Sequence, residues 1–80
     1  MYFVYIIQCE DGSLYTGITT DIDRRFAEHE SGKGSRYTAA HRVEKILYIE
    51  GRRTRSEALR REAQIKKLRR KEKLDLVRLA

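Results

Sequence analysis

Residues 2–8, YFVYIIQ, are almost all β-branched or aromatic. Such side chains suit a pleated surface and lose rotamer freedom on a helix, so the run predicts a strand. Glu10-Asp11-Gly12-Ser13 follows, and its Asp-Gly pair is a strong hairpin signal. Residues 14–18, LYTGI, then read as the return arm. The chain therefore opens with an antiparallel hairpin, and everything downstream must cover it. Gly17 within the return arm predicts a bulge, or a place where another backbone comes close.

The remaining elements follow from caps and periodicity. Thr20 offers an N-cap, with Asp23 three residues on, for a helix over about 21–31 that Gly32 ends. Its inner stripe is Ile22, Phe26 and His29, with Arg25 beside it. Gly32-Lys33-Gly34-Ser35 reads as a flexible basic loop, and Arg36 to Arg42 as irregular chain. Residues 43–50, VEKILYIE, alternate as a third strand. Thr54 and Glu57 form a capping box that opens a long helix over about 55–69. Leu74, Leu76, Val77 and Leu79 mark a short last helix. The order ββαβαα gives an α+β fold, three antiparallel strands flanked by helices, in one domain over 1–80.

A chain of 80 residues has a thin core, burying only about 60–65% of its unfolded surface. Any active site should be a shallow groove open to a large substrate. Eighteen Lys and Arg against twelve Asp and Glu leave a formal charge of +6. That excess favours a polyanionic partner: DNA, RNA or an acidic membrane surface. No run approaches the ~18 apolar residues that cross a bilayer. The N-terminal Met1-Tyr2-Phe3-Val4-Tyr5 has no basic leader and does not read as a signal peptide. A single Cys9 cannot form an internal disulfide, and with two His it cannot build a Cys–His metal cluster. These features place the chain in the cytoplasm.

Several polar residues fall where apolar ones are expected. On the long helix, Ala58, Leu59 and Ile65 share a face that also includes Glu62. A carboxylate there needs a cation, whether Arg, Lys or a metal ion; the plain alternative is a salt-bridged residue at the rim. Arg25 and His29, at i and i+4, point the same way from the first helix. Alone, each would be an ordinary solvated Arg and a satisfied structural His. Tyr5 and Tyr15 lie on the two arms of the hairpin, as an ordinary cross-strand pair would. Near a phosphate their hydroxyls can bind oxygen or position water, with Gly17 letting a phosphodiester approach. Together the set suits phosphodiester hydrolysis. Arg steadies charge on the phosphoryl oxygens, a polar group orients or deprotonates water, and a carboxylate anchors a metal. One Glu without an Asp cluster argues for a single ion, and Mg²⁺, which keeps most of its waters, suits it.

The chain resembles the GIY-YIG nuclease domain, most closely its small stand-alone bacterial members. Phe3-Val4-Tyr5 and Tyr15-Thr16-Gly17 stand at the two tripeptides. Thr19 to Phe26 matches the helix that carries the family arginine, at Arg25, and His29 matches a histidine of many members. Ser31-Gly32-Lys33-Gly34 and Tyr37-Thr38 fit the loop of the stand-alone group. Ser56 to Glu62 matches the helix whose last glutamate holds the metal. Phe3 replaces the first glycine, and Ile18 stands where repair-type members carry a lysine.

The resemblance implies a one-metal phosphodiesterase. Glu62 would bind Mg²⁺ or Mn²⁺, Arg25 would hold the scissile phosphate, and Tyr5, Tyr15 or His29 would act as or assist the general base. Gly17, Lys33, Arg36, Arg61, Lys66 and Arg69 are the candidate DNA contacts, with Arg60, Lys67 and Arg70 on the same basic helices. With no appended reading domain, recognition would rest on backbone and shape. The expected protein is a metal-dependent DNA endonuclease, monomeric, acting on branched or damaged DNA, with a repair protein as a further partner. Two other readings stay open: a non-catalytic nucleic-acid-binding module, and an accessory protein that docks on a larger nuclease.

Overall fold

A computed structural model describes all 80 residues. The order is β1 (Tyr2–Cys9), β2 (Leu14–Thr19), α1 (Ile22–Glu30), α2 (Arg36–His41), β3 (Val43–Arg52), α3 (Arg55–Lys67) and α4 (Arg70–Leu79). The expected α+β arrangement holds, with one short helix added. The sheet runs β2-β1-β3, with both pairings antiparallel. Gly12 closes the hairpin at φ 85°, a conformation glycine adopts without strain. The Asp11 carboxylate accepts from the Ser13 backbone N–H at 3.0 Å inside that turn.

The central strand β1 is covered on both faces. Val4 and Ile6 point one way and pack with Ala58 and Ile65 of α3, flanked by Leu14, Ile18, Tyr48, Leu76 and Val77. Tyr5, Ile7 and Cys9 point the other way, against Tyr15, Ile22, Phe26, Val43 and Ile46. Strand alternation thus feeds two thin cores, one beneath α3 and α4 and one beneath α1. Ile18, which stands where a lysine was noted, belongs to the α3 core. Leu59, expected on the inner face of α3, is 37% exposed. The inner stripe is Ala58, Glu62 and Ile65, spaced i, i+4, i+7, and Leu59 falls to one side of it.

Three local expectations are corrected. The N-cap of α1 is Asp21, not Thr20; its carboxylate accepts from the Arg24 N–H at 3.0 Å, and the Thr19 hydroxyl holds the backbone of Asp21. The stretch 36–42 is helical over Arg36–His41, because the Ser35 hydroxyl caps it by accepting from the Thr38 N–H at 3.1 Å. Arg42, at φ 47°, then ends the helix. Gly17 makes no bulge: the β1–β2 register is continuous, and the irregularities lie between β1 and β3. In α3 the expected Thr54 cap is present, accepting from the Glu57 N–H at 3.1 Å.

Because only the inner stripe of α3 carries the core, Ile65→Ala should cost about 2–5 kcal/mol. Leu59→Ala should cost under about 1 kcal/mol. Urea unfolding midpoints of the two variants check this, and equal losses would contradict the assigned stripe.

Candidate active site

The site grows out of the β1–β2 hairpin. Tyr5 lies opposite Gly17 in the register, and Tyr15, two residues before Gly17, shares that face. A Cβ at position 17 would sit 2.5 Å from the Tyr5 hydroxyl oxygen and 3.2 Å from the Tyr15 ring. Glycine is therefore required there, because the Tyr5 ring fills the space that a side chain would take.

Tyr5 is only 2% exposed and His29 only 1%. The Tyr5 hydroxyl and His29 Nε2 are 2.8 Å apart, and His29 Nδ1 lies 2.8 Å from Thr38 Oγ1. Thr38 Oγ1 in turn lies 2.9 Å from Ser35 Oγ. Gly34 lies against the imidazole, and a Cβ there would come within 2.2 Å of Nδ1. Burial, and then the Arg25 cation, push the His29 pKa below its ordinary value, although Glu28 opposes. Burial pushes the Tyr5 hydroxyl up; Arg25 pulls it back, while the charges of Tyr15 and Glu62 push it further up. Arg25 adjoins Tyr5 in one crevice, and the Tyr5 and Tyr15 rings lie 6.4 Å apart, whereas Glu62 stands on α3, which packs on the opposite face of the sheet.

Arg25 is half-buried and anchored. Its Nη1 donates to Glu28 Oε1 at 3.0 Å and its Nη2 to the Gly34 carbonyl at 2.7 Å. A guanidinium has five N–H donors, so these two bonds leave others for an anion. Glu62 has the cation its position requires: Lys66 Nζ lies 3.5 Å from Oε2, a loose pair one helical turn away. The carboxylate belongs to no cluster of three or more metal-ligating side chains. A lone carboxylate with spare acceptor capacity fits a largely hydrated Mg²⁺ or Mn²⁺.

The expected residues fall into two ranks. Tyr15, Arg25 and Glu62 keep some exposure, whereas Tyr5 and His29 stand behind them. Tyr5 and Arg25 meet in a crevice packed tight by Ile7, Ile22, Phe26 and Ile46. Of the candidate DNA contacts, Lys33, Arg36, Lys66 and Arg69 are exposed. Arg61 is not free. Its Nε donates to both Glu50 oxygens, at 3.2 and 3.0 Å, because β3 brings Glu50 under α3. Burial works against that carboxylate, yet Tyr48, Arg61 and Arg52 hold its pKa below the ordinary value. The sequence reading missed Gly34, Ser35, and Thr38 as a buried partner of His29. The spacing of Ser35 and Thr38, which marks a cap, was the available signal.

The chain is thus a thin α+β domain that carries a hairpin tyrosine pair, an anchored arginine and a lone carboxylate. Residues 1–75 match the GIY-YIG catalytic domain, and the chain belongs to that family of nucleases. A UPF0213 protein of Staphylococcus epidermidis is 46% identical over 76 residues, covering 95% of this chain and 93% of its own. A UPF0213 protein of Desulfotalea psychrophila is 57% identical over 68 residues, covering 84% of this chain and 62% of its own. The solution NMR structure of a UPF0213 protein from Bacillus halodurans superposes with a TM-score of 0.63 at 44% identity, covering 99% of this chain and 85% of that one.

The buried histidine makes stability depend on pH. With its folded pKa below the ordinary 6.5, the unfolded chain takes up the proton first. The stability that neutral His29 contributes is present above about pH 6.5 and is lost as pH falls below it. Urea midpoints should therefore drop from about pH 8 to about pH 5.5, and the slope should flatten in His29→Gln. A flat profile in the wild type would contradict a neutral buried imidazole.

Proposed function

We propose that this chain is a metal-dependent endonuclease that hydrolyses phosphodiester bonds in DNA. The observation that carries the reading is geometric: the hairpin tyrosines Tyr5 and Tyr15 lie 6.4 Å apart, Tyr5 is hydrogen-bonded to His29, and the anchored Arg25 lines the crevice beside Tyr5. A binding module would need Arg25 for a phosphate, but it has no use for a carboxylate beside one. Branched or damaged DNA is the proposed substrate, met by a monomer in the cytoplasm, with a repair protein as a further partner.

In this reading Arg25 holds the scissile phosphate with the donors left free by Glu28 and Gly34. Its cation stabilises the charge that builds on the phosphoryl oxygens. Tyr15 is the tyrosine that water reaches, so its hydroxyl orients the attacking water, and as phenolate it would take the water's proton and return to the phenol. Tyr5 and His29 are buried and act behind it as positioning residues, Tyr5 beside Arg25 and His29 beneath Tyr5. Glu62 would hold Mg²⁺ or Mn²⁺, which when bound would offset charge on the leaving oxygen. Lys33, Arg36, Lys66, Lys67 and Arg69 would contact the DNA backbone, giving strong salt dependence and little base preference.

Incubating the protein with supercoiled, nicked and branched DNA, with and without Mg²⁺ or Mn²⁺, tests this. Cutting should require the metal, disappear in Glu62→Gln, and fall about 10²–10³-fold in Arg25→Ala. Equal nicking by wild type and Glu62→Gln would sink the enzymatic reading. DNA binding without any cutting by wild type would favour a non-catalytic module.

A further inference from the structure

Donor accounting around His29 fixes which ring nitrogen carries its proton. The Tyr5 hydroxyl is buried and His29 Nε2, at 2.8 Å, is its hydrogen-bond partner. The neighbouring Arg25 is a cation with no lone pair, so it cannot accept the hydroxyl proton. Thr16 Oγ1 is the one buried side-chain polar atom left without any partner, and the partner of the Tyr5 oxygen is Nε2. If Nε2 carried hydrogen, the Tyr5 O–H would be buried with no acceptor, a costly state. Nε2 is therefore bare and accepts from Tyr5.

The rest of the chain follows. A neutral imidazole with a bare Nε2 has its hydrogen on Nδ1. That N–H donates to Thr38 Oγ1 at 2.8 Å. Thr38, itself 1% exposed, then turns its own hydrogen toward Ser35, whose Oγ lies at 2.9 Å and whose carbonyl lies at 3.4 Å. The donors run in one direction, from Tyr5 to His29 to Thr38 to Ser35. The lone pairs of the Tyr5 oxygen are left facing Arg25, which lines the same tight crevice. The opposite tautomer would turn the Tyr5 proton toward that cation.

We propose that Thr38 is a positioning residue of the nuclease site: by accepting the Nδ1 proton it holds His29 in one tautomer, and so sets the direction of the hydroxyl dipole that Tyr5 presents to Arg25. The catalytic consequence rests on the nuclease reading above; the tautomer does not. The test is a long-range ¹H–¹⁵N correlation spectrum of the full chain labelled at histidine, with His41→Gln assigning the second histidine. Wild-type His29 should show a protonated Nδ1 and a bare Nε2. Thr38→Val should mix or reverse the tautomers, and Thr38→Ser, which keeps the oxygen, should restore them. On DNA, Thr38→Val should lower kcat/KM by about 10–100-fold, the range seen when a metal-bound histidine loses its orienting partner, and Thr38→Ser should recover it. A wild-type His29 protonated at Nε2 would overturn the proposal whether or not the protein cuts DNA. An unchanged tautomer and unchanged kcat/KM in Thr38→Val would overturn it as well. The expected tautomer shift in a chain that cuts no DNA would keep the role of Thr38 toward His29 and remove the nuclease reading instead.

Discussion

β1 has no face to give to solvent, and the rest of the molecule answers that constraint. Its alternate side chains must enter two cores, and one of them, Tyr5, takes a hydroxyl in with it. A buried hydroxyl without a partner costs about 1–3 kcal/mol, a large share of what so thin a core can supply. His29 meets that need from α1. His29 then has a second nitrogen to satisfy, which Thr38 does from α2, and Ser35 satisfies Thr38 while capping the same helix. The placement of α1 and α2 against the sheet is thus set by polar contacts as much as by Ile22 and Phe26. α2 in particular, six residues long, has little apolar surface of its own and is held by this chain and by the stacking of Tyr37 on Tyr15.

The same contacts sort the site into a buried rank and a reachable one. Arg25 lies one turn before His29 on α1, so the helix that buries the imidazole brings the guanidinium to the sheet edge. There it is steadied by Glu28 and by the carbonyl of Gly34. Gly34 contributes twice, since its bare Cα also lets the loop close over His29. Gly17 does for Tyr5 what Gly34 does for His29. Two glycines of one chain therefore clear space for the two rings of one hydrogen bond, and a Cβ at either position would press on that bond.

What could be read in advance depended on whether the deciding partner was near in sequence. The hairpin, its turn, the third strand and the Thr54 cap of α3 were legible because periodicity and caps are local. So was the GIY-YIG likeness, which rests on motifs in fixed order. Arg61 was illegible: it looks like Arg60 next to it, and only Glu50, across from it on β3, takes it out of the basic surface. α2 was missed because Arg36–His41 has no apolar stripe, and its burial runs through Thr38, a residue that reads as polar. Gly17 was recognised as a point of close approach, but the sequence could not say that the ring of Tyr5, rather than a ligand, makes the approach.

The distribution of charge bears on how such a surface meets a nucleic acid. Many of the acidic side chains are engaged within the fold. Asp21 caps α1, Glu72 accepts from the Arg69 N–H that opens α4, Glu50 ties β3 to α3, and Asp11 holds His41 at the hairpin turn. Ser13 and His41 hold the Asp11 carboxyl well below the usual carboxylate range. Lys33, Arg36, Lys67, Arg69, Lys71 and Lys73 have no such carboxylate partner within the chain. The net +6 is therefore carried at the surface by side chains on flexible stems, without the fixed geometry that reads base edges. Charge of this kind attracts phosphate at long range and is screened by salt. Selectivity, in the proposed function, must then come from the few groups that are held rigid, chief among them Arg25 in its setting of Tyr5, Glu28 and Gly34.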